Sequence, residues 1–169
     1  MSFYGTAVGF TSYTEARGKT VLAAWDTAVV EKALLVASEW LDNSFDTVWS
    51  GYATDGFTQA RKWPRTTAVT NTFPEHVFAT NDIPDNVVSA AYEAAFRDLT
   101  ELGSLTKDFT QSNYLKVSVS GAMSVDYDNS MRASDTQVQM PIIESLMEPL
   151  FDESSQGFFA SISGAISRV

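Results

Sequence analysis

Residues 26–41 read DTAVVEKALLVASEWL, and this stretch decides the fold class. Its apolar side chains recur at the spacing of one helical face, namely at Val30, Ala33, Leu34, Ala37 and Leu41. Asp26 or Thr27 is suited to cap the first turn, and Trp40 widens the apolar face. The polar run Asp42-Asn43-Ser44 indicates where the helix ends. The sequence therefore predicts a long amphipathic helix over residues 26–41.

A second helical pattern covers residues 83–102 and is followed by Gly103. Ile83-Pro84 indicates its start, because a proline at the first helical position gives up only an N–H that has no partner there. Four alanines, at 90, 91, 94 and 95, leave little side-chain bulk, so another helix can approach closely. We expect this helix and the helix of residues 26–41 to form the core.

Shorter elements are predicted before and between these two helices. Residues 10–17 indicate a short helix that stops at Gly18. Residues 43–57 combine glycines with four aromatic side chains, which predicts a loop held in place by its aromatic residues. A further short helix is expected from Thr58 to Lys62, with Pro64 ending it. Residues 66–82, rich in Thr and Asn, predict an exposed connection.

From Tyr114 the apolar period changes from 3.6 to 2, which is typical of a half-buried strand. Gly121-Ala122 offers a turn, so a β-hairpin is predicted at about 114–127. A last helix is expected from Pro141 to Leu150. The predicted fold class is mainly α: a small helical bundle with a β-hairpin insertion, as one domain over residues 1–151. Residues 152–169 are predicted to be an extended C-terminal arm.

Composition excludes several classes of protein. An apolar fraction of 44% with 19% charged residues is typical of a globular chain of 169 residues. The absence of cysteine rules out disulfides and thiolate zinc sites. No signal-peptide pattern or membrane-length apolar run is present, so no membrane is expected. A net charge of −10 disfavours tight DNA binding, because phosphates would be repelled.

The usual catalytic motifs are missing from the sequence. His76 is the single histidine, and it lies in a polar stretch without a nucleophile motif, so we expect an ordinary exposed side chain. Asp126 and Asp128 have the spacing of one strand face and could ligate a hard cation, but solvated carboxylates are the favoured interpretation. Asp152-Glu153 gives a still weaker metal signal. We expect no enzyme, no cofactor and no metal.

One basic–aromatic cluster stands out, made of Arg61, Lys62, Trp63 and Arg65. Aromatic stacking beside cations is a common way to bind single strands, so Arg61, Lys62 and Arg65 are alternative nucleic-acid contacts. The favoured interpretation is structural: Trp63 packs, Pro64 ends a helix, and Arg65 pairs with a carboxylate, since a buried charge without a partner is costly. The predicted structural anchors are therefore Trp40, Trp63, Pro64 and Arg65.

The order of the segments carries a resemblance. The pieces, in chain order, are Tyr13, Arg17-Gly18, residues 31–34, residues 40–42, Trp49, Gly51, Gln59 ahead of Trp63-Pro64-Arg65, Ile83-Pro84 and Glu93-Ala94-Ala95. This arrangement resembles a family of phage proteins of the head–tail connector region, often described as DnaT-like single-stranded DNA-binding proteins. The likeness covers residues 10–100 well, and the tail past Phe151 departs from it.

The resemblance implies a head-to-tail adaptor of the virion, assembled in the host cytoplasm as a ring of twelve copies beneath the portal protein. Such a ring extends the DNA channel, lets packaged DNA pass without sequence-specific binding, and docks the next neck or tail-completion protein. The alternative function is a single-stranded DNA-binding replication accessory. Apolar residues of the hairpin and the tail are the candidate subunit or partner interface: Leu115, Val117, Val119, Val125, Phe151, Phe158, Phe159 and Ile162.

Overall fold

The computed structural model describes residues 2–105, 116–119, 123–126 and 140–152, the two middle ranges as backbone only. The described helices are α1 (Ala7–Ala16), α2 (Thr27–Phe45), α3 (Asp85–Thr100) and α4 (Pro141–Met147). The described strands are β1 (Tyr52–Ala53), β2 (Arg65–Thr66), β3 (Lys116–Val119) and β4 (Met123–Asp126). The predicted fold class, mainly α with a β-hairpin, is confirmed. The predicted arm beyond Asp152 lies outside the described residues.

Helices α2 and α3 pack against each other, as the sequence predicts. Asp26 caps α2, because its carboxylate accepts a hydrogen bond from the Val29 N–H at 2.9 Å. Leu34 and Leu41 of α2 are fully buried, and so are the four alanines of α3. Burial of this apolar face is the main stabilising contribution to the core. Helix α3 ends at Thr100, two residues before its predicted end, and Leu102 is exposed.

The predicted end of α2 is wrong. The helix continues through Asn43-Ser44 to Phe45, because those two polar residues lie on its exposed face. Asp42 points inward and is buried, and Phe45 packs its ring on Phe151 with the centroids 5.8 Å apart. Polar residues therefore do not interrupt this helix, since each of them lies on a face that suits it.

Helix α1 begins earlier than predicted, at Ala7 instead of residue 10. Thr6 provides the cap, because its hydroxyl accepts a hydrogen bond from the Gly9 N–H at 3.0 Å. The Thr6 N–H itself donates to the hydroxyl of Tyr92 on α3 at 3.0 Å. Gly5 and Gly9 lie so close to the Tyr92 side chain that a Cβ at either position would collide with it. The start of α1 is thus fixed on α3.

The predicted helix over residues 58–62 is also wrong. The segment instead forms a 3-10 turn at Gly56–Thr58 and joins β1 to β2, which pair antiparallel. The Gln59 amide donates to the carbonyls of Arg61 (2.7 Å) and Pro64 (2.9 Å), and its oxygen accepts from the Asp55 N–H (3.0 Å). These bonds satisfy backbone groups that a helix would otherwise have satisfied. Pro64 therefore follows a turn, with a cis Trp63-Pro64 bond, and does not end a helix.

Most residues of the stretch 66–82 are exposed, as predicted, although the stretch also contains one buried residue and a backbone bridge. Ala68 is fully buried, and its carbonyl accepts a hydrogen bond from the Phe78 N–H at 2.9 Å. Val69 and Val77 form an antiparallel bridge, which folds the stretch back on itself. A Thr/Asn-rich composition hides this pairing, because it is made by the backbone and not by an apolar side-chain pattern.

The last described segment closes the core. Helix α4 packs on α3 and continues into a 3-10 turn, Glu148–Leu150. Ile143, Met147 and Leu150 are buried, whereas Ile142 is half exposed. The Asp152 N–H then donates to the Val48 carbonyl at 2.8 Å.

The predicted hairpin is confirmed at residues 116–126, where β3 and β4 pair antiparallel with Val117 opposite Val125. It belongs to a second compact unit, residues 106–140. None of the helices in the described ranges has both the length and the apolarity that crossing a bilayer requires.

Candidate functional site

Trp63 is a core residue. It is 1% exposed, and its ring packs edge-on against Trp49 at 6.1 Å and Phe78 at 5.9 Å. Its backbone N–H donates to the Tyr4 hydroxyl at 3.1 Å. A base could not stack on a ring enclosed in this way, so the predicted packing role of Trp63 is confirmed.

Arg65 is buried, and all three nitrogens of its guanidinium donate hydrogen bonds. Its Nε donates to the Ser50 carbonyl at 2.9 Å and its Nη2 to the Gly51 carbonyl at 2.6 Å. Its Nη1 donates to a carboxylate oxygen of Asp46 at 3.1 Å. The predicted carboxylate partner therefore exists, at the end of α2. Two backbone carbonyls, which the sequence could not indicate, complete the binding of the side chain.

Asp46 is shared between two cations. Besides Arg65, it holds the ammonium of Lys62 at 2.8 Å. Partial burial by itself would raise the pKa of Asp46, but hydrogen bonds and charge from Lys62 and Arg65 outweigh it and lower the pKa below its usual value. Asp46 therefore stays ionised and keeps the two basic side chains paired.

Arg61 pairs with carboxylates of α2 that lie at least one turn before Asp46. Its guanidinium contacts Asp42 and Glu39, each at 3.2 Å, and its Nε donates to the Ser2 carbonyl at 2.8 Å. Asp42 also accepts hydrogen bonds from the Tyr4 hydroxyl and from the backbone N–H of residue 62. Arg61 thus joins the N-terminal segment to α2.

Burial determines the protonation of the Tyr4–Asp42 pair. The pKa of Asp42 is raised, chiefly by burial, although hydrogen bonds from Tyr4 and Arg61 oppose the change. The pKa of Tyr4 is raised far above its usual value, first by burial and then by the neighbouring Asp42 charge. Tyr4 therefore remains a hydrogen-bond donor at any physiological pH.

Together these contacts form what we call the α2 ion-pair network, which consists of Glu39, Asp42, Asp46, Arg61, Lys62 and Arg65. It fastens the β1–β2 ribbon to one face of α2. Only Lys62 keeps a large part of a basic side chain exposed, at 46%. All three predicted nucleic-acid contacts are therefore engaged within the chain.

A second buried carboxylate, Glu93 of α3, was not predicted as a site. It accepts a hydrogen bond from the Tyr13 hydroxyl at 3.1 Å and pairs with Lys19 at 2.5 Å, while Arg17 lies 4.0 Å away. Burial and the Glu93 charge raise the pKa of Tyr13 to about 12. Three of these residues occur in the segment order on which the resemblance depends, and the structure shows that they bind α1 to α3.

The other predicted anchors have smaller roles. Trp40 is partly exposed and packs its ring edge-on against Phe45 at 5.9 Å. Pro64 is half-buried, and its carbonyl accepts hydrogen bonds from the Gln59 amide and the Thr54 N–H. Its predicted role at a helix end is replaced by this turn.

The predicted interface residues divide into three groups. Val117, Val119 and Val125 lie in the paired strands β3 and β4, where the structure gives their backbone alone. Phe151 is 4% exposed and stacks on Phe45, so its side chain packs in the core, and its place at a subunit or partner interface stays a prediction. The remaining predicted interface residues lie outside the described ranges: Leu115, Phe158, Phe159 and Ile162.

The residues weighed for chemistry form no site within the described ranges. His76 is exposed, as predicted, with its ring edge-on to Phe78 at 4.8 Å. No group of three or more His, Asp or Glu residues in the described part of the chain could hold a metal ion. Asp126 ends β4, Asp152 is exposed, and Asp128 and Glu153 lie outside the described residues.

Several large apolar side chains are exposed. Phe57 and Phe73 are fully exposed, and Tyr52 is 68% exposed. All three lie on the ribbon and its connections, between α2 and α3. The aromatic residues of 43–57 were predicted to hold that loop in place; Phe45 and Trp49 are buried as predicted, whereas Tyr52 and Phe57 point to solvent.

Comparison with known proteins gives one match. No curated protein and no solved structure matches this chain. A family model matches residues 2–166, which is nearly the whole sequence and includes both the α2 ion-pair network and the Glu93 contacts. The chain therefore belongs to the family described as "Putative DnaT-like ssDNA binding protein".

Proposed function

We propose that this protein is a structural adaptor of a phage virion, which forms a ring beneath the portal and docks the next neck or tail component. In this proposal its partners are further copies of itself, the portal protein and a tail-completion protein. It performs no catalysis and holds no cofactor.

The observation that carries the proposal is the state of the basic side chains. Arg61, Lys62 and Arg65 all pair with carboxylates of α2, and Arg65 is buried as well. Affinity for nucleic acid depends on cations that are free to neutralise phosphates. In this chain the basic segment instead fixes the ribbon to the helical core, as an assembly part with well-defined surfaces requires.

The charge of the whole chain supports the same function. A net charge of −10 repels DNA, and a like-charged channel wall lets DNA move without sticking. The exposed apolar side chains Tyr52, Phe57 and Phe73 suit protein contacts more than phosphate contacts.

Negative-stain electron microscopy of the protein incubated with a purified portal protein tests this proposal. The expected result is an added ring density on one face of the portal, with cyclic symmetry. Portal particles that remain unchanged at micromolar adaptor would contradict it. A sample of the protein without portal shows whether the ring forms alone or requires the portal surface.

The second candidate function is single-stranded DNA binding, which the description of the family favours. The exposed rings of Tyr52 and Phe57 provide aromatic faces on which bases could stack. Fluorescence anisotropy of a labelled oligonucleotide at low salt, where electrostatic contacts are strongest, decides between the two functions. The adaptor proposal predicts no saturable binding. Binding that Lys62→Ala and Phe57→Ala both weaken would favour the second candidate instead.

A further inference from the structure

The two ends of the β1–β2 ribbon are held in different ways. The base is fixed to the core, because β1 and β2 pair there and Arg65 of β2 donates hydrogen bonds to the carbonyls of Ser50 and Gly51. Beyond the base lie residues 55–62, a segment in which every residue is exposed or partly exposed. Hydrophobic burial is the main stabilising contribution in a fold, and this segment, which we call the flap, gains little from it. The flap therefore depends on polar contacts for its position.

The flap is ordered by hydrogen bonds of its own. The Gln59 amide donates to the carbonyls of Arg61 and Pro64, and its oxygen accepts from the Asp55 N–H. The Thr58 hydroxyl donates to the Asp55 carbonyl at 2.8 Å. These bonds lie within the flap or join it to the base of the ribbon, so they do not hold it to α2. The flap can therefore move as one unit.

Arg61 holds the flap to the rest of the fold. Its Nε donates to the Ser2 carbonyl at 2.8 Å. Its two terminal nitrogens contact the carboxylates of Asp42 and Glu39 on α2, each at 3.2 Å. Hydrogen bonds between charged groups are about twice as strong as neutral ones. These three contacts close the flap against α2.

Lys62 adds weaker contacts between the flap and α2. Its N–H donates to Asp42 at 3.3 Å, and its ammonium pairs with Asp46 at 2.8 Å. The side chains of Lys62 and Asp46 are 46% and 35% exposed, and exposed ion pairs contribute little to stability. Once Arg61 is released, little therefore remains to keep the flap closed.

We propose that the flap of residues 55–62 is a local two-state element, which the Arg61 contacts close and which opens while the helical core stays folded. Segments with few buried apolar contacts open at a lower free energy than the whole protein unfolds. The closed flap withholds Arg61 and Lys62 from anionic partners, whereas the open flap releases both cations on the same segment as the fully exposed ring of Phe57. This inference goes beyond the adaptor function and does not rest on it, because it concerns a motion within one chain.

The absence of cysteine permits a direct test with spin labels. The labels are attached through Ala60→Cys on the flap and Asn43→Cys on α2, both at exposed positions. Double electron–electron resonance measures the distance between the two labels. One distance should predominate in this chain, since minor states of this kind have populations of about 0.1–10%. Adding Arg61→Ala should raise the population of a second, longer distance about tenfold or more, because charge-assisted hydrogen bonds are lost.

Arg17→Ala in the same labelled chain is the matched control. The Arg17 side chain is 46% exposed and lies 4.0 Å from Glu93 of α3, so its removal should leave the label distance unchanged. Arg61→Lys preserves the charge but lacks the planar fork of the guanidinium, so it should give an intermediate open population. Circular dichroism of every variant should show an unchanged helical signal, because the core does not depend on the flap.

Two results would overturn the proposal. Identical distance distributions in the Arg61→Ala and Arg17→Ala chains would show that Arg61 does not close the flap. Loss of the helical signal in both Arg61→Ala and Arg61→Lys would show that Arg61 holds the whole core and not a local element. If Arg61→Ala alone fails to fold, Arg61→Lys decides: a second, longer distance supports the flap, and an unchanged distance overturns it.

Discussion

Replacing Arg65 with alanine should destabilise the protein strongly, because this side chain connects the ribbon to α2. The substitution removes hydrogen bonds to the carbonyls of Ser50 and Gly51 and an ion pair to Asp46. The two carbonyls are left without these donors, at a cost of about 1–1.5 kcal/mol each. The ion pair adds only about 0.5–1 kcal/mol, since Asp46 is one-third exposed. The expected loss is about 2.5–4 kcal/mol.

Urea unfolding followed by circular dichroism measures the loss in free energy, and thermal unfolding followed by the same signal measures the shift in Tm. A domain of this size loses about 2–4 °C in Tm for each kcal/mol, so the Tm of Arg65→Ala should fall by about 10 °C. Arg17→Ala is the matched control, because the Arg17 side chain is 46% exposed and its Nε lies 4.0 Å from Glu93, so the substitution should cost less than about 1 kcal/mol. A loss for Arg65→Ala no larger than that of the control would refute the claim that the segment is a structural anchor.

Three further predictions concern the same region and its surroundings. Gly51→Ala should cost at least about 2 kcal/mol more in unfolding free energy than Gly18→Ala: both glycines have a φ of +67°, but only at Gly51 would a Cβ collide with the Thr66 carbonyl. Asp46→Asn should destabilise the protein by about 1 kcal/mol at neutral pH. The pKa of Asp46 is lowered by folding, so its stabilisation is present above the unfolded-state pKa, and urea unfolding should show the two proteins converging below about pH 4. Tyr4→Phe should cost about 1–3 kcal/mol in the same assay and more than Tyr13→Phe, because Asp42 and the Trp63 N–H both lose a partner.

The sequence predicts the two central helices well because a one-sided apolar pattern determines their burial. The spacing from Val30 to Leu41 identified the inner face of α2, and the alanines of α3 indicated the close packing. The end of α2 was not predictable in the same way. Asp42 is buried there only because Tyr4 and Arg61, distant along the chain, hydrogen-bond to it.

The candidate site was predicted only in outline. The burial of Trp63 was predictable because an exposed indole ring forgoes a large hydrophobic stabilisation. A carboxylate partner for Arg65 was predictable because a buried charge without a partner is costly. The identity of that partner, Asp46, does not follow, because 21 acidic residues are available in the sequence. The turn before Pro64 was mistaken for a helix because local propensity does not reveal that the Gln59 side chain bonds to the backbone. The exposure of Phe57 was missed because composition does not distinguish an aromatic ring that packs from one that projects.

Mass photometry of the protein alone and with purified portal protein tests the adaptor function most directly. A ring-forming adaptor should increase the mass of the portal particle by a whole number of chains of 18.5 kDa, consistent with one ring. Portal particles of unchanged mass, together with binding of a single-stranded oligonucleotide at low salt, would contradict the adaptor function.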